Sequence, residues 1–179
     1  MRIISGKHKG IRITAPKNLP VRPTTDMAKE ALFNILNNNY YFEDVVALDL
    51  FSGIGSISLE LASRGIAAIT SVDKHRACSK FLEQTASKLN LALNIINADV
   101  YQFLSNHKKA YEIIFADPPY AFSQEQFERI HQLIFKNHLL TDNGMLIIEH
   151  SNKTKLAHLK HFTKERKYGG NRFSFFEIS

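Results

Sequence analysis

The chain has 179 residues, with 44% hydrophobic and 22% charged side chains. That size and balance fit one globular domain with a substantial core and exclude a disordered chain. The net charge of +6 is local: residues 1–29 hold seven basic side chains and one acid, whereas residues 30–179 hold 16 of each. A basic patch on a neutral body is the electrostatic footprint of a polyanion binder. No apolar run approaches the ~18 residues of a membrane span, and the N-terminus lacks the apolar core of a signal peptide. The single cysteine, Cys78, excludes an internal disulfide and reads as a small core residue. A cytoplasmic protein is expected, and the histidines show no metal-ligand spacing with the acids.

In chain order, residues 2–13 read as a β-hairpin, two β-branched runs around a basic, glycine-containing turn. A proline-punctuated stretch follows to Pro23. Thr24, Thr25 and Asp26 are N-cap candidates for a helix whose apolar stripe is Ala28, Ala31, Leu32, Ile35 and Leu36. From residue 45 the pattern alternates. Strands are expected at 45–51, 67–72, 94–96, 111–116 and 145–149, with helices at 56–63, 74–88 and 124–135 and a short turn near 101–104. This alternation predicts an α/β fold with a parallel sheet covered on both faces. Residues 162–168 and 172–178 read as two further strands joined at Gly169-Gly170. Residues 1–44 form the basic extension, and 45–179 the main domain.

Residues 113–120, Ile-Ile-Phe-Ala-Asp-Pro-Pro-Tyr, run a short strand into a carboxylate, two prolines and an aromatic ring. Prolines cannot continue a ladder, so the chain turns at Pro118 and Pro119. The turn leaves the Asp117 carboxylate, the Pro118 carbonyl and the Tyr120 ring together. Two acceptors beside a flat face suit the exocyclic amine of a nucleobase. By itself the tetrapeptide reads equally well as an Asx-type turn.

Its surroundings weigh on the choice. Asp49-Leu50-Phe51-Ser52-Gly53-Ile54-Gly55 leaves a strand and opens a helix, where ligands of open α/β sheets bind. Asp73 ends the second strand, eighteen residues after Gly55, where a carboxylate can accept ribose hydroxyls. Asp99 follows the third strand and Asp117 the fourth. Each acid alone is a plausible helix N-cap; four along one rim are not easily chance. A dinucleotide site would want a third glycine where Ser58 stands, and a pyrophosphate disfavours Asp49. S-adenosylmethionine, with an ammonium, a sulfonium, a ribose and an adenine, matches Asp49, Asp73 and Asp99 in order.

On these residues the chain resembles the class I S-adenosylmethionine-dependent methyltransferases. Within them it is similar to the RsmD family, which methylates N2 of a guanine in small-subunit (16S) ribosomal RNA. The specific pieces are Arg22-Pro23-Thr24-Thr25-Asp26 leading into Glu30-Ala31-Leu32-Phe33-Asn34, then Asp49 to Gly55, Ser63-Arg64-Gly65, Asp117 to Tyr120, and Tyr168-Gly169 with Phe173, Phe175 and Phe176. The resemblance implies a Rossmann-like, doubly wound, mostly parallel seven-stranded sheet with a C-terminal antiparallel hairpin. It implies that Asp49, Gly53 and Gly55 line the methionine part of the cofactor, Asp73 holds the ribose, and Asp99 with Val100 faces the adenine. Thr25, Phe51 and Lys74 complete the implied cofactor set. Asp117, Pro118, Pro119 and Tyr120 would receive the base, and Arg2, Lys7, Lys9, Arg12 and Arg22 would meet RNA. The family usually has a Gly-Gly pair where this chain has Ser5-Gly6.

The expected function is methyl transfer from S-adenosylmethionine, leaving S-adenosylhomocysteine, to a guanine amine of ribosomal RNA or the small subunit particle. No obligate protein partner or membrane is implied. Rival readings are an amino-methyltransferase acting on DNA or another RNA, and a non-catalytic RNA-binding module on the same scaffold. A nicotinamide dehydrogenase is disfavoured by Ser58.

Overall fold

A computed structural model describes residues 1–20 and 24–178. Its centre is one seven-stranded sheet in the order β3-β2-β1-β4-β5-β7-β6. The strands are β1 (Val46–Leu50), β2 (Ala68–Asp73), β3 (Asn94–Asn97), β4 (Tyr111–Ala116), β5 (Leu140–Ser151), β6 (Phe162–Tyr168) and β7 (Asn171–Glu177). The first five run parallel, and β7 lies antiparallel between β5 and β6. The helices are α1 (Asp26–Asn37), α2 (Ser56–Ser63), α3 (Arg76–Lys88), α4 (Val100–Asn106) and α5 (Gln124–Lys136).

The central strands are apolar on both sides because helices cover both sides. Leu48, Leu50, Ile114, Ala116, Leu146 and Ile148 pack against α4 and α5 through Leu104, Phe127, Ile130 and Ile134. Ala47, Ile113, Phe115, Ile147, Phe173 and Phe175 pack against α1 and α2 through Leu32, Phe33, Leu36, Ile57 and Leu61. Strand order reverses between β1 and β4, so their carboxyl ends diverge there and leave a crevice. Among the described residues, no helix is long and apolar enough to cross a membrane.

Three expectations change. β5 starts at Leu140 rather than 145, since 140–144 (Leu-Thr-Asp-Asn-Gly) reads as a turn but continues the pairing, with a register shift between Tyr111 and Ile113. The turn expected near 101–104 is a seven-residue helix, capped by the Asp99 side chain. The N-terminal hairpin pairs only at its base: Arg2 bridges Arg12, Met1 and Ile13 exchange backbone bonds, and Ile3 bonds Ile11 and Gly10. From Ile4 onward the donors turn to α2 instead of extending the ladder. Ile4 and Ser5 N–H donate to the Glu60 carboxylate (2.8 and 3.0 Å), and Lys7 and His8 N–H donate to the Ser63 carbonyl and hydroxyl (2.7 and 3.0 Å). Gly6 makes that seating possible. It has φ +82°, and a Cβ there would lie 1.9 Å from the Ser63 carbonyl oxygen. Of the Ser5-Gly6 pair, the second position is the one the contact requires.

Glu60 is the centre of this junction. Fully buried, it also accepts from Arg64 Nε (2.8 Å) and pairs with Lys29 Nζ (3.3 Å). Lys29 is therefore not part of the exposed basic patch. It is 1% exposed and donates to the Arg2 carbonyl as well. Burial lowers its pKa, and Glu60 opposes that shift. The extension thus shares its core and its ion pairs with the main sheet.

Candidate active site

A cavity of about 500 Å³ opens at the carboxyl ends of β2, β1 and β4. Its floor is β1. Asp49 is one residue from that strand's end, 2% exposed, and its Oδ2 accepts from Ser58 N–H (3.0 Å) and Ser58 Oγ (2.5 Å). Ser58 Oγ also meets Ser71 Oγ at 2.7 Å, so the residue that replaces a dinucleotide glycine ties Asp49 to its register neighbour on β2. Neutral donors alone do not offset a buried charge. Burial therefore raises the Asp49 pKa to about 7, and the nearby Asp117 and Asp73 add to the shift against the pull of Ser58.

The next two acids sit on the loops around this floor. Asp73 ends β2. Its Oδ2 accepts from Gly53 N–H (2.8 Å) and its Oδ1 from His75 N–H (2.7 Å), which pins the glycine loop to the start of α3. Asp99 caps α4, and Oδ1 takes both capping N–H groups, from Tyr101 (2.9 Å) and Gln102 (3.1 Å). The helix-cap and ligand-site readings of Asp99 are thus compatible, because one oxygen does the capping while the residue lines the cavity. Phe51, Lys74 and Val100 line it too. Phe51 holds a left-handed φ of 60° and meets Phe122 edge-on at 5.7 Å, while Phe122 stacks on Tyr101 at 6.2 Å. Backbone strain of this kind costs about 1–3 kcal/mol and persists where surrounding structure enforces it.

Two of the expected cofactor residues fall outside the cavity wall. Thr25 uses its hydroxyl to cap α1 at the Ala28 N–H (3.2 Å), and its buried neighbour Thr24 lines the cavity in its place. Gly55 has φ +84°, and a Cβ there would lie 2.2 Å from Leu82 Cδ1. Its missing side chain serves the packing of α2 on α3, whereas Gly53 faces open space where a Cβ would be and does line the cavity. Sequence reasoning also missed Ile54, Ser56, His75, Cys78 and Phe122 in the wall. The Ser56 Oγ is buried and has no hydrogen-bond partner among the described residues.

Asp117, Pro118, Pro119 and Tyr120 form the upper lip, with Pro118 buried and Tyr120 45% exposed. Asp117 N–H donates to the Leu50 carbonyl (3.3 Å), which holds the turn against β1. The Tyr120 hydroxyl donates to Asn171 Oδ1, and Asn171 Nδ2 donates to Oε1 of the fully buried Glu149 (2.6 Å). The aromatic lip is therefore fastened to the far hairpin. Of the expected RNA contacts, Lys7, Lys9 and Arg12 are exposed, while Arg2 pairs with Asp26 at 3.0 Å. Arg22 lies outside the described residues. Among those residues, no group of three or more His, Cys, Asp or Glu side chains is placed to hold a metal.

The arrangement can seat a cation at the Asp49 floor and a hydroxylated ring near Asp73. At the lip, Asp117, Pro118 and the Tyr120 ring share the cavity wall. Comparisons with known proteins point the same way. The family model described as Conserved hypothetical protein 95 matches residues 1–177. The Ribosomal RNA small subunit methyltransferase D of Buchnera aphidicola (subspecies Baizongia pistaciae) is 34% identical over 153 residues, 85% of this chain and 76% of that protein. The solved chain yhhF from Escherichia coli superposes with TM-score 0.86 at 28% identity, covering 100% of this chain and 99% of that one. A Thermus thermophilus 16S rRNA N2 methyltransferase (RsmC), solved with AdoMet and guanosine, superposes with TM-score 0.69 at 20% identity. It covers 90% of this chain and 45% of that one, a likeness of fold.

Proposed function

The chain belongs to the Conserved hypothetical protein 95 family, the RsmD family of small-subunit ribosomal RNA methyltransferases, and on that basis we propose that it methylates the N2 amine of a guanine in 16S ribosomal RNA. The observation that carries this reading is one cavity with a buried carboxylate, held only by Ser58 among the described residues, at its floor and an Asp-Pro-Pro-Tyr lip above it. S-adenosylmethionine, when bound, supplies an activated methyl group on a sulfonium. Its chemistry fits the groups present: Asp49 would accept from the ammonium end and Asp73 from the ribose hydroxyls, and Asp99 with Val100 would meet the adenine. Gly53 leaves the room that a side chain would fill.

The guanine amine is a poor nucleophile because its lone pair is delocalised into the ring. Asp117 and the Pro118 carbonyl accept hydrogen bonds from its two N–H groups and draw the nitrogen toward an attacking geometry; one of those protons leaves after the methyl group has arrived. The carboxylate also offsets the positive charge that develops on that nitrogen, through the stronger, charge-assisted kind of hydrogen bond. Tyr120 stacks on the base, which must leave its own stack to be reached. Most of the acceleration asked of the protein is orientation, worth roughly 7–11 kcal/mol. The exposed Lys7, Lys9 and Arg12 hold the RNA backbone on the α2 side of the protein.

The test is transfer of labelled methyl groups from S-adenosylmethionine to ribosomal RNA, both naked and in small subunits, followed by mass spectrometry of the nucleosides. The reading requires N2-methylguanine. Label on adenine or cytosine, or preference for DNA, would replace it with the rival amino-methyltransferase.

A further inference from the structure

The neutrality of residues 30–179 hides a second basic segment. Residues 151–172 hold seven basic side chains and one acid, and the compensating acids lie elsewhere in the chain. The topology brings one end of this segment to the active rim. β5 runs parallel to β4, so Ser151 ends at the rim where Asp117 follows β4. Antiparallel pairing then puts Asn171 opposite Ser151, Tyr168 opposite Asn171, and Lys167 opposite Arg172. The residues after β5 fold back at the same rim, where the Lys155 backbone exchanges hydrogen bonds with the Gln124 side chain at the start of α5 (2.6 and 3.0 Å). Lys153, Lys155, Arg166 and Lys167 are all exposed there. Among the described residues, the ion pairs that involve the segment, Arg172 and His150 with Glu165 and His158 with Glu128, engage none of the four. The hairpin tip reaches the lip itself, through Asn171 and the Tyr120 hydroxyl.

We infer that the C-terminal hairpin is a second RNA-gripping jaw, in which Lys153, Lys155, Arg166 and Lys167 contact backbone phosphates on the side of Tyr120 away from the N-terminal arm. This rests on the proposed nucleic-acid substrate and adds to it. β6 is the sheet edge beyond β5 and β7, while the arm packs on α2 with its basic turn at Ser63, the end of that helix remote from the cavity. The hairpin therefore supplies exposed cations on the lip side of the cavity, and the arm would grip RNA farther from the base presented to Asp117. The occupant is a polyanion because four exposed cations gain little from anything else, and each phosphate contact releases counterions.

The experiment compares two quadruple variants of the full chain. One is Lys153→Ala, Lys155→Ala, Arg166→Ala and Lys167→Ala. The other removes equal charge from exposed positions outside the jaw, with Lys80→Ala, Lys88→Ala, Lys108→Ala and Lys136→Ala. The probe is 16S ribosomal RNA, with affinity measured across salt concentrations. The jaw variant should lose about tenfold or more in affinity at low salt and lower the slope of log affinity against log salt by about 3. The control should lose far less. S-adenosylmethionine affinity, unchanged in both, reports an intact fold. Equal losses in the two variants would reduce the effect to net charge and overturn the jaw. Unchanged RNA affinity in the jaw variant would also overturn it, leaving that face to an acidic protein while the methyltransferase reading stands. Failure of the wild type to bind or methylate RNA would remove the reading, and the jaw with it.

Discussion

Glu60 and Asp49 are both carboxylates buried to within 2% of full enclosure, and the protein treats them in opposite ways. Glu60 receives two backbone N–H groups and two cations, Lys29 and Arg64. Asp49 receives one serine. The first is a closed lock that fastens the N-terminal arm and α1 to α2. The second is a charge left short of compensation at the floor of a cavity, which is what a site for a cationic ligand requires. Burial alone does not separate structural from functional carboxylates; the partners do.

The largest expected effect comes from breaking the lock. Glu60→Ala leaves Lys29 buried without its carboxylate and should cost about 3–5 kcal/mol in denaturant unfolding. Asp49→Asn removes a buried charge, keeps an acceptor for Ser58, and should leave stability near or above wild type. A comparable loss in both variants would erase the contrast. The next effect is on pH. The folded protein holds the Asp49 proton more tightly than the unfolded chain does. That contribution to stability therefore falls as pH rises from the ordinary carboxylate range to about 7. A cationic ligand prefers the ionised form, so S-adenosylmethionine affinity should rise about tenfold between about pH 6 and pH 8, with proton release on binding. Calorimetry checks both, and Asp49→Asn should flatten the profile. Smallest is Tyr120→Phe, which keeps the ring and removes the hydroxyl that donates to Asn171. It should lower kcat/KM on RNA by roughly three- to tenfold, the worth of one hydrogen bond, with cofactor affinity unchanged.

Much of this was legible in the sequence, because parallel strands buried on both faces read as plain apolar runs and their carboxyl ends carry the acids. β4 and β6 have the expected bounds, and the seven-stranded sheet has the expected antiparallel hairpin. What stayed hidden depends on contacts distant in sequence. Lys29 counts as a surface cation until Glu60, 31 residues on, is seen beside it. Gly55 resembles a ligand-loop glycine until Leu82 is seen against it. Thr24 and Thr25 are equivalent cap candidates until the helix phase chooses one for the cap and the other for the cavity. The second basic segment was concealed by summing charge over 150 residues instead of over the rim that β5 and β7 share.

The central claim is that the Asp117 lip acts on the base and the Asp49 floor holds the donor. Measuring Asp117→Ala for both methyl transfer to 16S ribosomal RNA and S-adenosylmethionine affinity tests it most directly. Transfer should fall by roughly 100-fold or more while cofactor affinity stays near wild type. Transfer at the wild-type rate would contradict the account.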